Sequence, residues 1–567
     1  MARLTGEGED AAHRARALAA HLGDPLRPEG PLTYAASVRD DREQRFPAES
    51  LAALDNWGYR AYQVPAEHGG RLTSLEDLLT IGRVIAERDP AVTLIANSPL
   101  GAAMPVWLAG SAAQRRQVAD AVLGGAYVAL GITERAHGAD LLASETTVRR
   151  EGGAYVIDGE KWLINNAAQA RFVCLLARDP DRTGMRSLSF VLVDLEELPA
   201  EAYEILPRVP THGVRAAQIG GIRFHSARVP ASALIGRAGA GLELAAASLS
   251  VTRTLVPALS LGVLATALRC CTAFLAERRL YGGTATDIPY VREELAAALV
   301  DLRAAEAVAR ACARAPHVLP DLVPVTSAVA KYLVPKVVEA RMRKLSVVLG
   351  ARSYLREGHW SGLFEKLRRD VRLFGLFDGS EPVVLSSLAA QASCLDAPAD
   401  PRRADALFAR GGPLPSLFGQ DTGPFADDDP VTAGVEETGA ALERLGAAHG
   451  DSVLCQAAAA LRAAAPRVRT EALDALDPRS LAGQQFADRY ARLFAATCLA
   501  RTAPDGDGPP APWLGSGIFT LLEPGRRMPA GTAHLLWEDV ARLARPGTEP
   551  ADGTAGLELV AQGGESR

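Results

Sequence analysis

Few side chains in this sequence have an obvious capacity for chemistry. Asp378 stands directly before Gly379-Ser380, where a carboxylate commonly marks a helix terminus. Arg253 is a lone guanidinium in a long apolar run and would be costly to bury unpaired. A carboxylate such as Asp378 is a reasonable partner for it. Metal chemistry finds no support. The ten histidines do not cluster with cysteines or carboxylates at ligand spacing, and the seven cysteines contain no CxxC pair. An odd number of thiols without such pairs fits reduced, mostly buried cysteines in a cytoplasmic protein. His68, between Glu67 and Gly69-Gly70, reads as a turn residue rather than a ligand.

The elements that must position these groups are visible as changes of texture. At 567 residues the chain exceeds what one hydrophobic core usually serves. The 48% hydrophobic and 23% charged residues are an ordinary globular balance, so the class must come from pattern. The net charge of −6 is spread over interspersed signs. It forms neither the basic stripe of a nucleic-acid binder nor a polybasic run suited to anionic membrane. The first ten residues lack a cationic start with an apolar stretch, and no charge-free apolar run of about 18 residues suggests a membrane span.

Residues 1–125 read as a helical domain. Ser74 with Asp77 marks a helix start, and Leu75, Leu78, Leu79, Ile81 and Ile85 follow near helical spacing. Residues 126–236 read as a compact β domain. Tyr155–Ile157, Phe172–Leu176 and Ser189–Val193 are its short apolar runs, separated by turn material such as Gly152-Gly153 and Asp158-Gly159. Residues 237–395 are helical again, with one long Ala-rich run from Leu242 to Ala276 and a cationic end at Arg278-Arg279 that suits a helix dipole. Residues 396–430 have linker composition. Residues 431–567 form an additional helical domain whose Gly-rich tail, from Pro546 onward, is expected to be disordered. Helices, then strands, then helices argue against a parallel α/β sheet.

Five segments, in order, resemble motifs of the acyl-CoA dehydrogenase family over about residues 40–395. Ile132–Asp140 resembles "TEP-x-AGSD", and Asp158–Asn166 resembles "NGEKxWITNG". Phe224–Gly236 is similar to the β-domain exit "FxDVRVPxxNLLG", and Arg278–Gly282 to "RxxFG". Arg369-Asp370 with Phe377–Ser380 is similar to "RDxxxxxIYEGT".

The resemblance implies a mainly α fold with a central, β-barrel-like domain: an N-terminal helical domain, the middle β domain and a C-terminal four-helix bundle. It also implies FAD and an acyl thioester substrate. The α-proton would leave to a carboxylate while the β-hydrogen leaves as hydride to the flavin, giving an α,β-double bond. Such chemistry needs a desolvated base near a weak carbon acid and donors aimed at the thioester oxygen. Asp378 matches the catalytic glutamate and is one methylene shorter, about 1.5 Å. The alternative base position, on the preceding helix, is Thr252. Leu130, Ile132, Thr133, Leu163, Asn165 and Ser380 match positions that contact the flavin. Asn165 is expected to donate a hydrogen bond to the ring. Leu163 stands where a tryptophan usually covers the flavin, and Trp162, displaced by one residue in a strand, is expected to pack elsewhere.

Arg278, Tyr281, Gly350 and Ala351 match positions that reach the FAD of a neighbouring subunit, where a guanidinium suits a pyrophosphate. They imply a homodimer with shared sites, although Val347 replaces the glutamine just upstream. On the substrate side the matching positions are Ala139, Ser250, Arg253, Asp378 and Gly379. Ala139 and Ser250 replace a serine and an aspartate that contact CoA esters. The acyl group is therefore expected on CoA or on an acyl carrier protein, with an electron-accepting flavoprotein or oxygen as oxidant. The helical extension resembles that of very-long-chain acyl-CoA dehydrogenases, but Leu454–Ala465 is not strongly basic and reads as a packed domain rather than a membrane helix. Two other readings are a flavin oxidase or monooxygenase on the same scaffold, and a non-catalytic carrier-binding relative. The departures around the site suggest specialised metabolism.

Overall fold

The computed structural model describes residues 11–395, 397–409, 414–418, 423–472, 477–504 and 508–543. Seven helices come first: α1 (Ala11–Leu22), α2 (Tyr34–Glu43), α3 (Ala48–Trp57), α4 (Leu75–Ala86), α5 (Pro90–Ala96), α6 (Ser98–Ala109) and α7 (Ala112–Leu123). α4 begins where the sequence indicates. Ser74 caps it by accepting from the Asp77 N–H at 3.1 Å, and Leu75, Leu78, Leu79, Ile81 and Ile85 are all buried.

A mixed, mostly antiparallel sheet of eight strands follows: β1 (Tyr127–Gly131), β2 (Thr147–Glu151), β3 (Ala154–Asn165), β4 (Ala170–Arg178), β5 (Leu188–Asp194), β6 (Tyr203–Leu206), β7 (Ile219–Pro230) and β8 (Leu234–Ile235). Its order is β6-β7-β3-β2-β4-β5-β8, with β1 pairing parallel to β4. β4 is buried on both faces. Phe172, Cys174 and Leu176 join the helical core, while Val173, Leu175 and Ala177 face a second core inside the β domain. The expected turn at Asp158-Gly159 is not a turn. β3 runs through it with a register shift opposite β7. Gly159 makes this possible, because its φ is +130° and a Cβ there would lie 2.6 Å from Thr146 Cα.

The second helical region holds α8 (Gly241–Arg253), α9 (Pro257–Glu277), α10 (Pro289–Val318), α11 (Val323–Leu349), α12 (Leu363–Asp370) and α13 (Glu381–Ala389). The single run expected from Leu242 to Ala276 is two helices. Pro257 occupies the first turn of α9, where it has no N–H to donate to a carbonyl of the preceding turn. The stretches Pro90–Ala109 and Gly241–Glu277 are long and apolar enough to cross a membrane by composition, but 72% and 83% of the respective apolar windows are buried in the fold.

Beyond these lie α14 (Asp405–Phe408), α15 (Pro430–Ala433), α16 (Val435–His449), α17 (Ser452–Ala472), α18 (Leu481–Ala500), α19 (Leu514–Leu522), α20 (Thr532–Leu535) and α21 (Trp537–Arg542). They share one apolar core with the preceding helices. The segment with linker composition is fastened rather than free: Arg403 pairs with Asp321 and Asp428, and the Gln391 amide bonds Pro424 O and the Ala426 N–H. The tail from Pro546 lies outside the described residues.

A buried ion cluster joins the three regions that build the site. Lys366 Nζ lies 2.9 Å from Asp89 and 2.8 Å from Asp370, all three being at most 1% exposed. Arg369 and Arg215 both bind Asp41. Their hydrogen bonds outweigh the cost of burial and hold the Asp41 carboxyl below the usual carboxylate range. The Val214 N–H donates to Asp370 at 2.6 Å, and a Cβ on Gly213 would lie 2.5 Å from Arg369 O. Removing one partner of such a cluster strands the others. Lys366→Met is expected to cost about 3–5 kcal/mol of stability, read as a lowered midpoint in urea unfolding of the full chain.

Candidate active site

The loop after β1 is pinned by a buried pair. Lys161 Nζ donates to Glu134 Oε1 at 2.7 Å, Ser144 Oγ at 2.9 Å and Ile132 O at 3.0 Å. Burial pushes the Lys161 ammonium down to about 8, against the attraction of Glu134. Burial would raise Glu134, but the Glu145 N–H, Lys161 and Ser144 outweigh it and bring the carboxyl to about 2. Thr133 therefore has a fixed place, and its carbonyl accepts the Trp162 N–H at 2.9 Å. Trp162 lies under the Arg135 guanidinium, 5.0 Å from the ring centroid, a packing contact of the expected kind.

Leu163 sits at a register shift with φ +56°. This β-branched-free residue is 44% exposed, so its backbone departs from the regular strand assumed for it. Asn165 Nδ2 donates one of its two N–H groups to Leu94 O at 3.0 Å, and its acceptor Oδ1 is buried without a partner among the described residues. Turning the amide over would set its oxygen against the Leu94 carbonyl. Leu130 lies on β1 and Ile132 just beyond it, both partly exposed.

α5 and α6 connect this strand to the carboxylate. A Cβ on Gly101 would meet Thr252 Cγ2 at 3.7 Å, and Thr252 Oγ1 lies 3.5 Å from Asp378 Oδ2. Asp378 has φ +55° and Gly379 φ +108°, a turn that must be imposed by its surroundings. Ser380, not Asp378, is the N-cap residue of α13, which removes capping as the role of the aspartate. Arg253 is a partner of Asp378, but not of its carboxylate: Nε donates to the backbone carbonyl at 2.7 Å. The guanidinium thus shapes the turn, and a Cβ on Gly379 would lie 2.8 Å from it. Burial raises the Asp378 carboxyl, opposed in turn by Lys331, Arg253 and the Thr252 hydroxyl.

The residues 31–126, 129–227 and 239–393 match, in order, the acyl-CoA dehydrogenase N-terminal, middle and C-terminal domains. The chain belongs to the acyl-CoA dehydrogenase family. Over 355 residues it is 26% identical to a probable acyl-CoA dehydrogenase, FadE25, of Mycobacterium tuberculosis, covering 62% of this chain and 88% of the relative. A solved structure of butyryl-CoA dehydrogenase from Megasphaera elsdenii is similar with TM-score 0.61 and 19% identity, over 67% of this chain and 98% of that one. A structure of FkbI, described as acting in biosynthesis of a methoxymalonyl polyketide extender unit, is similar with TM-score 0.58 and 26% identity, over 68% and 100%. Enzymes of this family are FAD-dependent oxidoreductases that act on acyl thioesters, and this chain is one of them. The extension beyond residue 393 lies outside the matched domains.

Within this acyl-CoA dehydrogenase, the donor set fits a flavin. Thr133 and Asn165 offer polar groups at a fixed backbone, with the orphaned Asn165 Oδ1 suited to a ring N–H. Arg278, Tyr281, Gly350 and Ala351 form a separate exposed group. Arg278 and Arg352 stand 5.7 and 5.8 Å from the same Phe274 ring, which brings the ends of α9 and α11 together. Tyr281 is 96% exposed. The 21 residues of α9 span about 31 Å, so this group lies far from Asp378 at the other end. Ala139 is exposed on the loop after β1, and Ser250 is half-buried on α8.

Sequence reading missed Lys331. It is 1% exposed on α11, donates to Phe374 O at 2.6 Å and lies 5.0 Å from the Phe377 centroid. Burial and Arg253 push its ammonium down to about 8 against the pull of Asp378. The available signal was a lysine placed directly after the uncharged first stretch of α11, Val323–Ala330. Losing this cation removes an attraction that favours the charged form of Asp378. In Lys331→Met the pH at which Asp378 ionises is expected to rise, seen as an upward shift of the acid limb for substrate-driven flavin reduction. Lys331→Arg is expected to leave that limb in place.

Proposed function

We propose that the chain dehydrogenates an acyl thioester at its α and β carbons with Asp378 as the base. The observation that carries this reading is the Asp378 carboxylate, bonded to Thr252 and set in a turn whose flanking carbonyls are held by Arg253 and Lys331. Burial makes that carboxyl a stronger base than a solvated aspartate, and the neighbouring Lys331 and Arg253 cations oppose the rise by favouring its charged form. Thr252 orients one oxygen, which leaves the other to take the α-proton. The flavin would accept the β-hydrogen as hydride. Thr133, Asn165 and Ser380, with Leu130, Ile132 and Leu163, would hold the flavin on the β-domain side. Asp378 takes left-handed backbone, and one of its carboxylate oxygens lies 3.5 Å from Thr252 Oγ1.

We infer that the acyl group arrives on a carrier protein or on CoA, with the carrier favoured. Ala139 lacks the hydroxyl, and Ser250 the carboxylate, of the residues they replace at the CoA contacts, and the similarity to FkbI supports a place in specialised metabolism. Arg278, Tyr281, Gly350 and Ala351 lie too far from Asp378 to serve the same chain's flavin, which supports a homodimer with shared sites. The seven free thiols suit a reducing, cytoplasmic setting. An electron-transferring flavoprotein is the proposed acceptor, and rapid oxygen consumption with peroxide release would instead favour an oxidase.

Purified protein is expected to be yellow and to bleach anaerobically with an acyl-pantetheine thioester, yielding the unsaturated product by mass spectrometry. Asp378→Asn is expected to retain the colour and lose at least a hundredfold in bleaching rate. Normal turnover in that variant would overturn the role of Asp378.

A further inference from the structure

The turn around Asp378 is strained, and left-handed backbone of this kind persists only where its surroundings over-determine it. Arg253 grips it from α8. The opposite grip comes from α11, at both ends of the segment. Lys331 binds Phe374 O before the turn, and Lys336 Nζ binds Glu381 Oε1 after it at 2.7 Å. Lys336 also donates to Tyr332 Oη at 2.5 Å and lies 4.6 Å from its ring centroid.

Tyr332 is 4% exposed, and its hydroxyl donates in turn to the Asp488 carboxylate on α18, in the extension. Asp488 is fixed there by Arg492, whose Nε lies 3.0 and 2.9 Å from its two oxygens. Arg492 is anchored on Leu521 O at the end of α19. α18 also packs directly on α13, the helix that the turn leads into. An unbroken set of polar contacts therefore runs from the extension, through the middle of α11, to the first residue of α13. The Lys336–Glu381 pair is too exposed to contribute much stability by itself. It adds direction, because it ties the exit of the turn to a buried tyrosine.

We propose that the C-terminal extension is part of the catalytic apparatus, with Asp488 and Tyr332 as positioning residues that fix the turn carrying Asp378 through Lys336 and Glu381. This rests on the reading of Asp378 as the base. Neither residue touches the reacting atoms, so their loss should appear in the chemical step rather than in substrate binding. A displacement of about 1 Å can cost up to a hundredfold.

The test uses the full-length, flavin-loaded chain with Tyr332→Phe, Asp488→Asn and Asp488→Glu, and Arg462→Gln as a control. Arg462 pairs with Glu436 and Glu443 inside the extension. Tyr332→Phe and Asp488→Asn are expected to slow anaerobic flavin reduction about tenfold with little change in KM. Asp488→Glu should recover part of the rate, and Arg462→Gln should match the wild type. Hydrogen exchange gives a readout independent of turnover: peptides covering 374–381 should exchange faster in Tyr332→Phe and Asp488→Asn, but not in Arg462→Gln. Unchanged exchange in that segment, or equal slowing by Arg462→Gln, would overturn the proposal while leaving Asp378 as the base. Full activity in Asp378→Asn would instead overturn the reading beneath it, and the exchange result would still report whether the extension holds the turn.

Discussion

Six charged side chains, Asp41, Asp89, Arg215, Lys366, Arg369 and Asp370, meet where the first helices, the β domain and the second helical bundle come together. Lys366, Asp89 and Asp370 have almost no access to solvent, so each charge depends on the others for its solvation. This requirement fixes the relative placement of α2, α5, the segment before β7, and α12. The strand that carries Asn165 is linked to the Asp378 turn through such placement. Asn165 binds the last turn of α5, α6 abuts Thr252, and α12 leads directly into the turn that carries Asp378.

The same logic recurs at smaller scale. Lys161 and Glu134 hold the loop that presents Thr133, each shifted from its ordinary protonation range by burial and by the other. Lys331 and Arg253 hold the Asp378 turn by its carbonyls while their charges bear on its carboxylate. Positioning and protonation are thus set by the same cations. The extension stands behind α11 and α13 and buries their outer faces, so it shares the core of the family domains.

Much of the fold was legible in the sequence because it depends on local rules. Ser74 capping α4, the continuous apolar run that becomes the doubly buried β4, and the order of helices and strands follow from capping chemistry and hydrophobic pattern. Pro257 carried a visible signal for the break between α8 and α9, but the apolar composition on both sides of it obscured the interruption. Gly159 looked like a turn because its positive φ serves turns and bulges alike, and only the β7 partner distinguishes the two. The segment with linker composition is held down by residues such as Asp321 and Gln391, whose proximity is not local information.

The sequence by itself determined the family, its cofactor and thioester chemistry, and Asp378 as the carboxylate at the matching position, because these rest on residue types in a fixed order. Tertiary structure decided which groups act on that carboxylate. It sent Arg253 to a carbonyl instead of the carboxylate, brought the unremarked Lys331 beside the turn, tied one Asn165 N–H to Leu94, and linked Asp488 to the turn. Hydrogen bonds and electrostatic shifts depend on distances of a few ångströms and on exclusion of water. Residues 43 to 156 positions apart acquire those properties only when the chain has closed around them.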